Sequence, residues 1–349
     1  MLCAMTRRPS ARDVVAAIDR LGASGPTDLR EFRAAALEVL RRAIGFDWYV
    51  WVLTDPASEV GADPLAVVPD LAELPDLVRL KYLTDANRWT RLEAVGALGG
   101  DAGRSPLWSR AQRRHGVADV ISAVFRDDFG CWAFLDLWMD RPAAAADLDL
   151  LAGLLPTLTG ALRRRQALTF AEAAQPQLPA AGAAVVVLDE ALRIGGLTPA
   201  SRSWLARLLP PTGRPDAVPA AALNVAAQLL AREAGVDDHP AQARVHVSHG
   251  LWITLKAARL EPAGSIAVSL EPSTPSERLD LFARSHALSA RERELLAILA
   301  GGADTRQVAG RMFLSEHTVQ DHLKSIFTKT GTHTAGRCCR TRSASRLID

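Results

Sequence analysis

The sequence predicts a multidomain α+β protein, with two α/β domains built on antiparallel sheets followed by an all-α C-terminal domain. Three observations carry this. The 349 residues exceed what one hydrophobic core usually organises. Two Pro-rich stretches, 171–182 (AEAAQPQLPAAG) and 271–277 (EPSTPSE), interrupt the apolar periodicity as linkers do. Strand-like β-branched and aromatic runs occur only before the second stretch, whereas helical periodicity and helix-capping signals dominate after it. The domains are expected at 12–170, 183–271 and 284–349.

Composition sets the frame for these elements. An apolar content of 48% with 23% charged residues is that of a globular, soluble protein. The net charge of +2 announces no nucleic-acid binder by itself, so any such surface must be local. From Leu288 onward ten Arg and Lys face six Asp and Glu, which puts the basic surplus at the C-terminus. Cys3, Cys131, Cys338 and Cys339 lack zinc-site spacing and form no disulfide framework, so no metal and no cofactor is expected. The opening MLCAMTRRPSARDVV has no signal-peptide apolar run, and no stretch approaches about 18 apolar residues. The expectation is a cytoplasmic protein with no membrane partner. Only four of the 41 basic residues are Lys, a composition typical of a GC-rich bacterial genome.

In the first segment the spacing predicts a helix over Leu29 to Ile44, with Phe32, Ala36, Val39, Leu40 and Ala43 on one face. Phe46 to Leu53 (FDWYVWVL) reads as a strand, and Val120–Phe125 with Cys131–Trp138 reads as a hairpin. A long helix over Asp147 to Phe170 closes the segment, with Pro156 expected to kink or break it. This order of helix, antiparallel sheet and closing helix resembles a GAF domain. Trp48, Trp51, Trp132 and Phe134 are candidates for lining a ligand pocket there, and core packing is the plainer role for each of them.

The second segment opens with strands at Ala183–Leu188 and Leu192–Gly195. Helices at Pro199–Leu209 and Ala220–Glu233 follow, then strands at Arg244–Ser248, Trp252–Arg259 and Ser265–Leu270. That pattern, opening on VVVLDEALRIGGLTPASRSWL, resembles a PAS domain. His246 and His249 form an HxxH, but in a strand residues three apart point to opposite faces, so one cation cannot join them. Arg163-Arg164-Arg165 reads as a solvated helix face rather than a second nucleic-acid site.

In the C-terminal segment, Ser289 and Glu292 form a capping box for a helix that ends near Ala300 at Gly301-Gly302. Asp304-Thr305-Arg306-Gln307 begins a second helix, and Phe313-Leu314 turns the chain. Ser315 caps a third helix that stops at Gly331. Val319, Leu323, Ile326 and Phe327 form its inward face, whereas Glu316, His317, Gln320, Asp321 and Lys324 point outward. Two short helices around a tight turn are a helix-turn-helix, whose second helix presents its N-terminal residues to base edges in the major groove.

LSARERELLAILAGG and DTRQVAGRMFLSEHTVQDHLKSIFTKTG resemble the LuxR-type (NarL/FixJ-type) DNA-binding domain. The resemblance implies a sequence-specific transcriptional regulator that is homodimeric on double-stranded DNA and answers to a small-molecule effector in its sensor domains. It places Gln320, Asp321, Lys324 and His317 at base edges and Thr305, Thr318, His322 and Lys329 near phosphates. Gln can bond adenine bidentately, Asp can accept from cytosine, and Lys can reach guanine or a phosphate. The family often has Lys where Gln320 stands. After Gly331 it places a fourth amphipathic helix, where this chain reads THTAGRCCRTRSASRLID, a change expected to weaken dimerisation.

No GxxxxGK[ST] loop, no receiver-domain acidic pair and no nucleophile constellation is present, so catalysis is not expected. Two alternatives stay open. One is a sensor or interaction protein whose DNA-binding domain is degenerate. The other is an acyl-homoserine-lactone receptor, suggested by FDWYVW, although this chain is about a domain longer than that layout needs.

Overall fold

Local signals start the first helices. Ser10 accepts a bond from the backbone of Asp13 to open α1 (Ala11–Ser24), and Asp28 accepts from Arg30 and Glu31 to open α2 (Leu29–Ile44). The computed structural model describes residues 9–170, 182–209, 217–248, 250–262 and 264–332. Their Cα packing divides into two compact units. Among the described residues, one comprises 9–165, 182–245 and 254–271, and the other 166–170, 246–253 and 272–332.

In the first unit, β1 (Trp48–Thr54), β2 (Gly61–Val67), β3 (Val95–Ala97), β4 (Asp119–Asp127) and β5 (Gly130–Met139) form an antiparallel sheet in the order β2-β1-β5-β4-β3. α3 (Leu74–Leu83) lies between β2 and β3 in sequence, and α4 (Ala145–Leu168) follows β5. Strand alternation sorts the side chains. Tyr49, Trp51, Leu53, Ile121, Leu135 and Leu137 join one large core with α1, α2 and α4. The opposite face is divided into three smaller clusters around Trp89 and Phe134, around Trp138, and around Leu80 and Leu107.

α4 runs through Pro156 as one helix, so of the expected kink or break, the break is absent. Leu151, Leu154, Leu155, Leu158 and Leu162 keep a single stripe in the core, so packing holds the helix across the hydrogen bond that proline cannot donate. α4 is long and apolar enough to cross a membrane by composition, and this core is where its leucines are buried. Arg165 is also buried, with its guanidinium 3.9 Å from the Phe32 ring centroid and bonded to the Leu21 and Pro26 carbonyls. The reading of 163–165 as a solvated face therefore fails at Arg165.

The second sheet contains β6 (Ala184–Leu188), β7 (Ile194–Leu197), β8 (Gln242–Ser248), β9 (Leu251–Arg259) and β10 (Ile266–Pro272), in the order β7-β6-β10-β9-β8. α5 (Pro199–Leu208) and α6 (Ala220–Glu233) precede β8. α6 is Ala-rich, Ala222, Leu223, Val225, Ala226 and Ala227 are all buried, and the helix packs on α3 and β2. Gly61 is where β2 meets it: a Cβ there would lie 2.8 Å from Asn224 Nδ2. Small residues on both surfaces permit that approach.

The expected linker over 271–277 is not one. β10 extends to Pro272, and Thr274 forms a capping box with Glu277 that starts α7 (Pro275–Ser285). α7 and α8 (Ala290–Ala300), α9 (Thr305–Met312) and α10 (Glu316–Thr330) make the C-terminal module. Leu279, Phe282 and Ala283 of α7 join its core. The 171–181 stretch, His249, Cys3 and residues 333–349 lie outside the described residues. His246 has its ring 5.3 Å from that of Trp252.

Candidate nucleic-acid interface

Each helix of the module is positioned by its own cap. Ser289 accepts from Glu292 N at 3.3 Å, and Glu292 Oε2 accepts from Ser289 N at 2.6 Å. Asp304 and Gln307 repeat the arrangement on α9, at 2.8 and 3.1 Å. Between α9 and α10 Phe313 turns the chain in the left-handed region, φ 55°, with its side chain 95% exposed. Ser315 then accepts from Thr318 N at 3.1 Å and opens α10, which ends at Gly331 with φ 64°.

α10 is seated by Val319, Leu323 and Ile326, which pack on Leu295 and Leu296 of α8 and on Val308, Ala309 and Met312 of α9. This leaves Glu316, His317, Gln320, Asp321 and Lys324 exposed on the opposite side. The arrangement matches the spacing read from the sequence, because one helix face can serve only one of the two roles.

On that face Asp321 contacts both Lys324 and His317. Asp321 Oδ1 lies 3.3 Å from Lys324 Nζ, and Oδ2 lies 3.6 Å from His317 Nε2. Thr305 is half-buried at the first turn of α9, and Thr318 and His322 are half-buried along α10. Lys329 is differently engaged: its ammonium lies 2.7 and 3.0 Å from the two oxygens of Glu292, and Ser325 donates to the same carboxylate at 2.6 Å. Burial alone would raise the Glu292 pKa. Hydrogen bonds from Lys329, Ser325 and the Ser289 backbone outweigh it and bring the carboxyl down to about 2. Sequence reasoning recognised Glu292 only as a cap, because the contact to Lys329 spans two helices.

The four aromatic residues considered for a ligand pocket do not converge. Trp51 stacks on Phe125 at 5.1 Å in the large core, and Trp132 belongs to the same core, with its Nε1 donating to Asp127. Phe134 stacks on Trp89 at 4.8 Å on the opposite face, and Trp48 packs beside Trp138 there.

A polar centre that sequence reading missed lies on that opposite face. Lys81 pairs with Asp136 at 2.8 Å, and Trp89 Nε1 and Ser122 Oγ donate to the same carboxylate at 2.7 and 2.5 Å. Burial holds the Lys81 ammonium below its ordinary pKa despite Asp136. Cavities of about 20 and 10 Å³ flank this pair, each with room for about one water. Among the described residues no group of three or more His, Cys, Asp or Glu could hold a metal ion.

Residues 286–337 match the family of bacterial regulatory proteins, luxR family. Over 61 residues the chain is 44% identical to the probable transcriptional regulatory protein SgaR of Hyphomicrobium methylovorum. That match covers 17% of this chain and spans 29% of the length of that relative. Among solved structures, SdiA in complex with octanoyl-rac-glycerol is 13% identical with a TM-score of 0.29, the similarity covering 96% of this chain and 88% of that one. Escherichia coli SdiA is also 13% identical, with a TM-score of 0.28, over 96% of this chain and 90% of that one. Bacteriophytochrome RpBphP3 from the photosynthetic bacterium R. palustris is 15% identical with a TM-score of 0.29, over 77% of this chain and 64% of that one.

Proposed function

We propose that the chain is a sequence-specific, DNA-binding transcriptional regulator of the LuxR type that inserts α10 into the major groove of double-stranded DNA. The observation that carries this reading is the coincidence of two facts. The family match falls on the capped helices of the C-terminal module, and α10 buries Val319, Leu323 and Ile326 while exposing His317, Gln320, Asp321 and Lys324. In this reading those four exposed residues meet base edges, and Thr305, Thr318 and His322 approach phosphates. Lys329 is assigned to the fold rather than to phosphate while it holds Glu292.

The sheet-bearing unit, GAF-like and PAS-like in its order of elements, is the sensor in this reading. It biases the spacing of paired recognition helices in a homodimer. The protein works in the cytoplasm, and no catalytic step is assigned to it.

A second reading is favoured by the pairing of Lys324 with Asp321, which leaves little positive charge on the reading face. In it the module no longer binds DNA and the protein acts through a protein partner. Selection of bound duplexes from a random library at low salt separates the two. Enrichment of a common sequence, with affinity falling steeply as salt rises, supports the regulator. Absence of any enriched duplex with the fold intact supports the interaction protein.

A further inference from the structure

On the exposed face of α10, one carboxylate stands between Lys324 and His317. Asp321 is three residues before Lys324 and four after His317, so the helix brings all three onto one stripe. The carboxylate touches both, at 3.3 and 3.6 Å, and Gln320 lies beside it without charge. Glu316 adds a second negative charge one turn earlier. A surface approaching a polyanion is therefore neutralised internally at its centre.

We infer that Asp321 is a specificity-determining residue that withholds Lys324 from phosphate until a cytosine takes the lysine's place as its partner. The inference rests on the groove-binding reading above. Against a random duplex, the approaching phosphates repel the Asp321 carboxylate and find Lys324 already paired, so the sequence-independent attraction that dominates most DNA binding is reduced. Over a C·G pair the outcome differs. The cytosine N4 amino group donates to an Asp321 oxygen, and Lys324 is released toward the O6 and N7 of a nearby guanine. One exchange of partners satisfies the carboxylate and frees a cation at the same time. At an A·T pair, thymine O4 is an acceptor and cannot satisfy a carboxylate; adenine N6 can donate to it, but the paired thymine offers Lys324 no O6 and N7 acceptor pair.

This predicts that the preferred half-site carries a C·G pair beneath Asp321, and that loss of the carboxylate trades discrimination for affinity. The test compares full-length wild type with Asp321→Asn. One readout is salt titration on a random-sequence 30-base-pair duplex, and the other is the sequences each protein selects from a random library. Asp321 is exposed, so the variant keeps α10, which circular dichroism checks.

Asp321→Asn is expected to bind the random duplex about threefold tighter, the scale of one exposed ion pair. Its log–log salt dependence should steepen by roughly 0.9 for the freed lysine. Its selected sites should lose the C·G preference at one position while keeping the others. Unchanged random-duplex affinity and salt slope, with the wild type still selecting a site, would overturn the role of Asp321 and leave the DNA-binding reading standing. A wild type that selects nothing and binds no duplex at low salt overturns both.

Discussion

Arg88 in the loop after α3 and Asp237 in the loop after α6 form a buried ion pair, with Arg88 Nε and Nη2 3.0 and 2.6 Å from Asp237 Oδ2. Thr90, Gln228 and the backbone and ring of His239 complete the hydrogen bonds of that carboxylate. A second pair, Arg244 with Asp55, joins the same two sheet regions at 2.7 Å. Removing one partner of such a pair strands a buried charge. Asp237→Ala should therefore lower unfolding stability by about 3 kcal/mol. Urea denaturation checks this, and the double variant with Arg88→Ala should recover part of the loss. Full additivity of the two single effects would contradict the pairing.

The same carboxylate sets a pH dependence. Burial would raise the Asp237 pKa, but hydrogen bonds from His239, Thr90 and Arg88 hold it well below the usual carboxylate range. Its contribution is full above the unfolded value of about 3.9 and fades as pH falls toward the depressed folded value. The hydrogen bond to Asp237 raises His239, so that contribution is full below about 6.5 and is lost as pH rises through the raised folded value. Stability from this cluster should peak between about pH 4 and 6.5. A His239→Ala variant should show a flatter alkaline limb in thermal midpoint against pH.

Glu292 is the corresponding latch of the C-terminal module. Its carboxyl at about 2, against an ordinary value near 4.5, means its stabilisation is full above about 4.5 and is lost as pH falls toward 2. Glu292→Gln should speed amide hydrogen exchange in α8 and α10 at pH 7 and remove most of the difference between pH 7 and pH 3. Unchanged exchange would show that the contact to Lys329 carries no weight.

Gly130 closes the β4–β5 hairpin at φ 147°, and a Cβ there would lie 2.5 Å from the Pro56 carbonyl oxygen. Backbone cannot yield as a side-chain tip can. Gly130→Ala should cost about 2 kcal/mol in urea denaturation, the scale of a strained backbone position.

Ser315→Ala removes the cap of α10 and should destabilise the module by about 1 kcal/mol. Lys324→Ala should weaken binding to the selected site several-fold, the scale of a lost guanine contact, with little change in the salt slope on a random duplex. The two effects are separable, because only Lys324→Ala should change binding while leaving the unfolding midpoint in place.

What the sequence determined by itself was local. α2 and α6 fall at the predicted residues, and the helix boundaries of the C-terminal module follow Ser289, Asp304, Ser315 and Gly331, because a cap and the helix it starts lie within a few residues. Where one signal serves two structures, the reading failed. Pro and Ser after Glu271 suggested a linker, yet Thr274 with Glu277 starts α7. Only tertiary structure could bring Arg88 to Asp237, 149 residues away, place Lys81 on Asp136, and engage Lys329 with Glu292. Those contacts depend on how separate elements pack, and a charged residue carries no mark in sequence of the partner that burial will require.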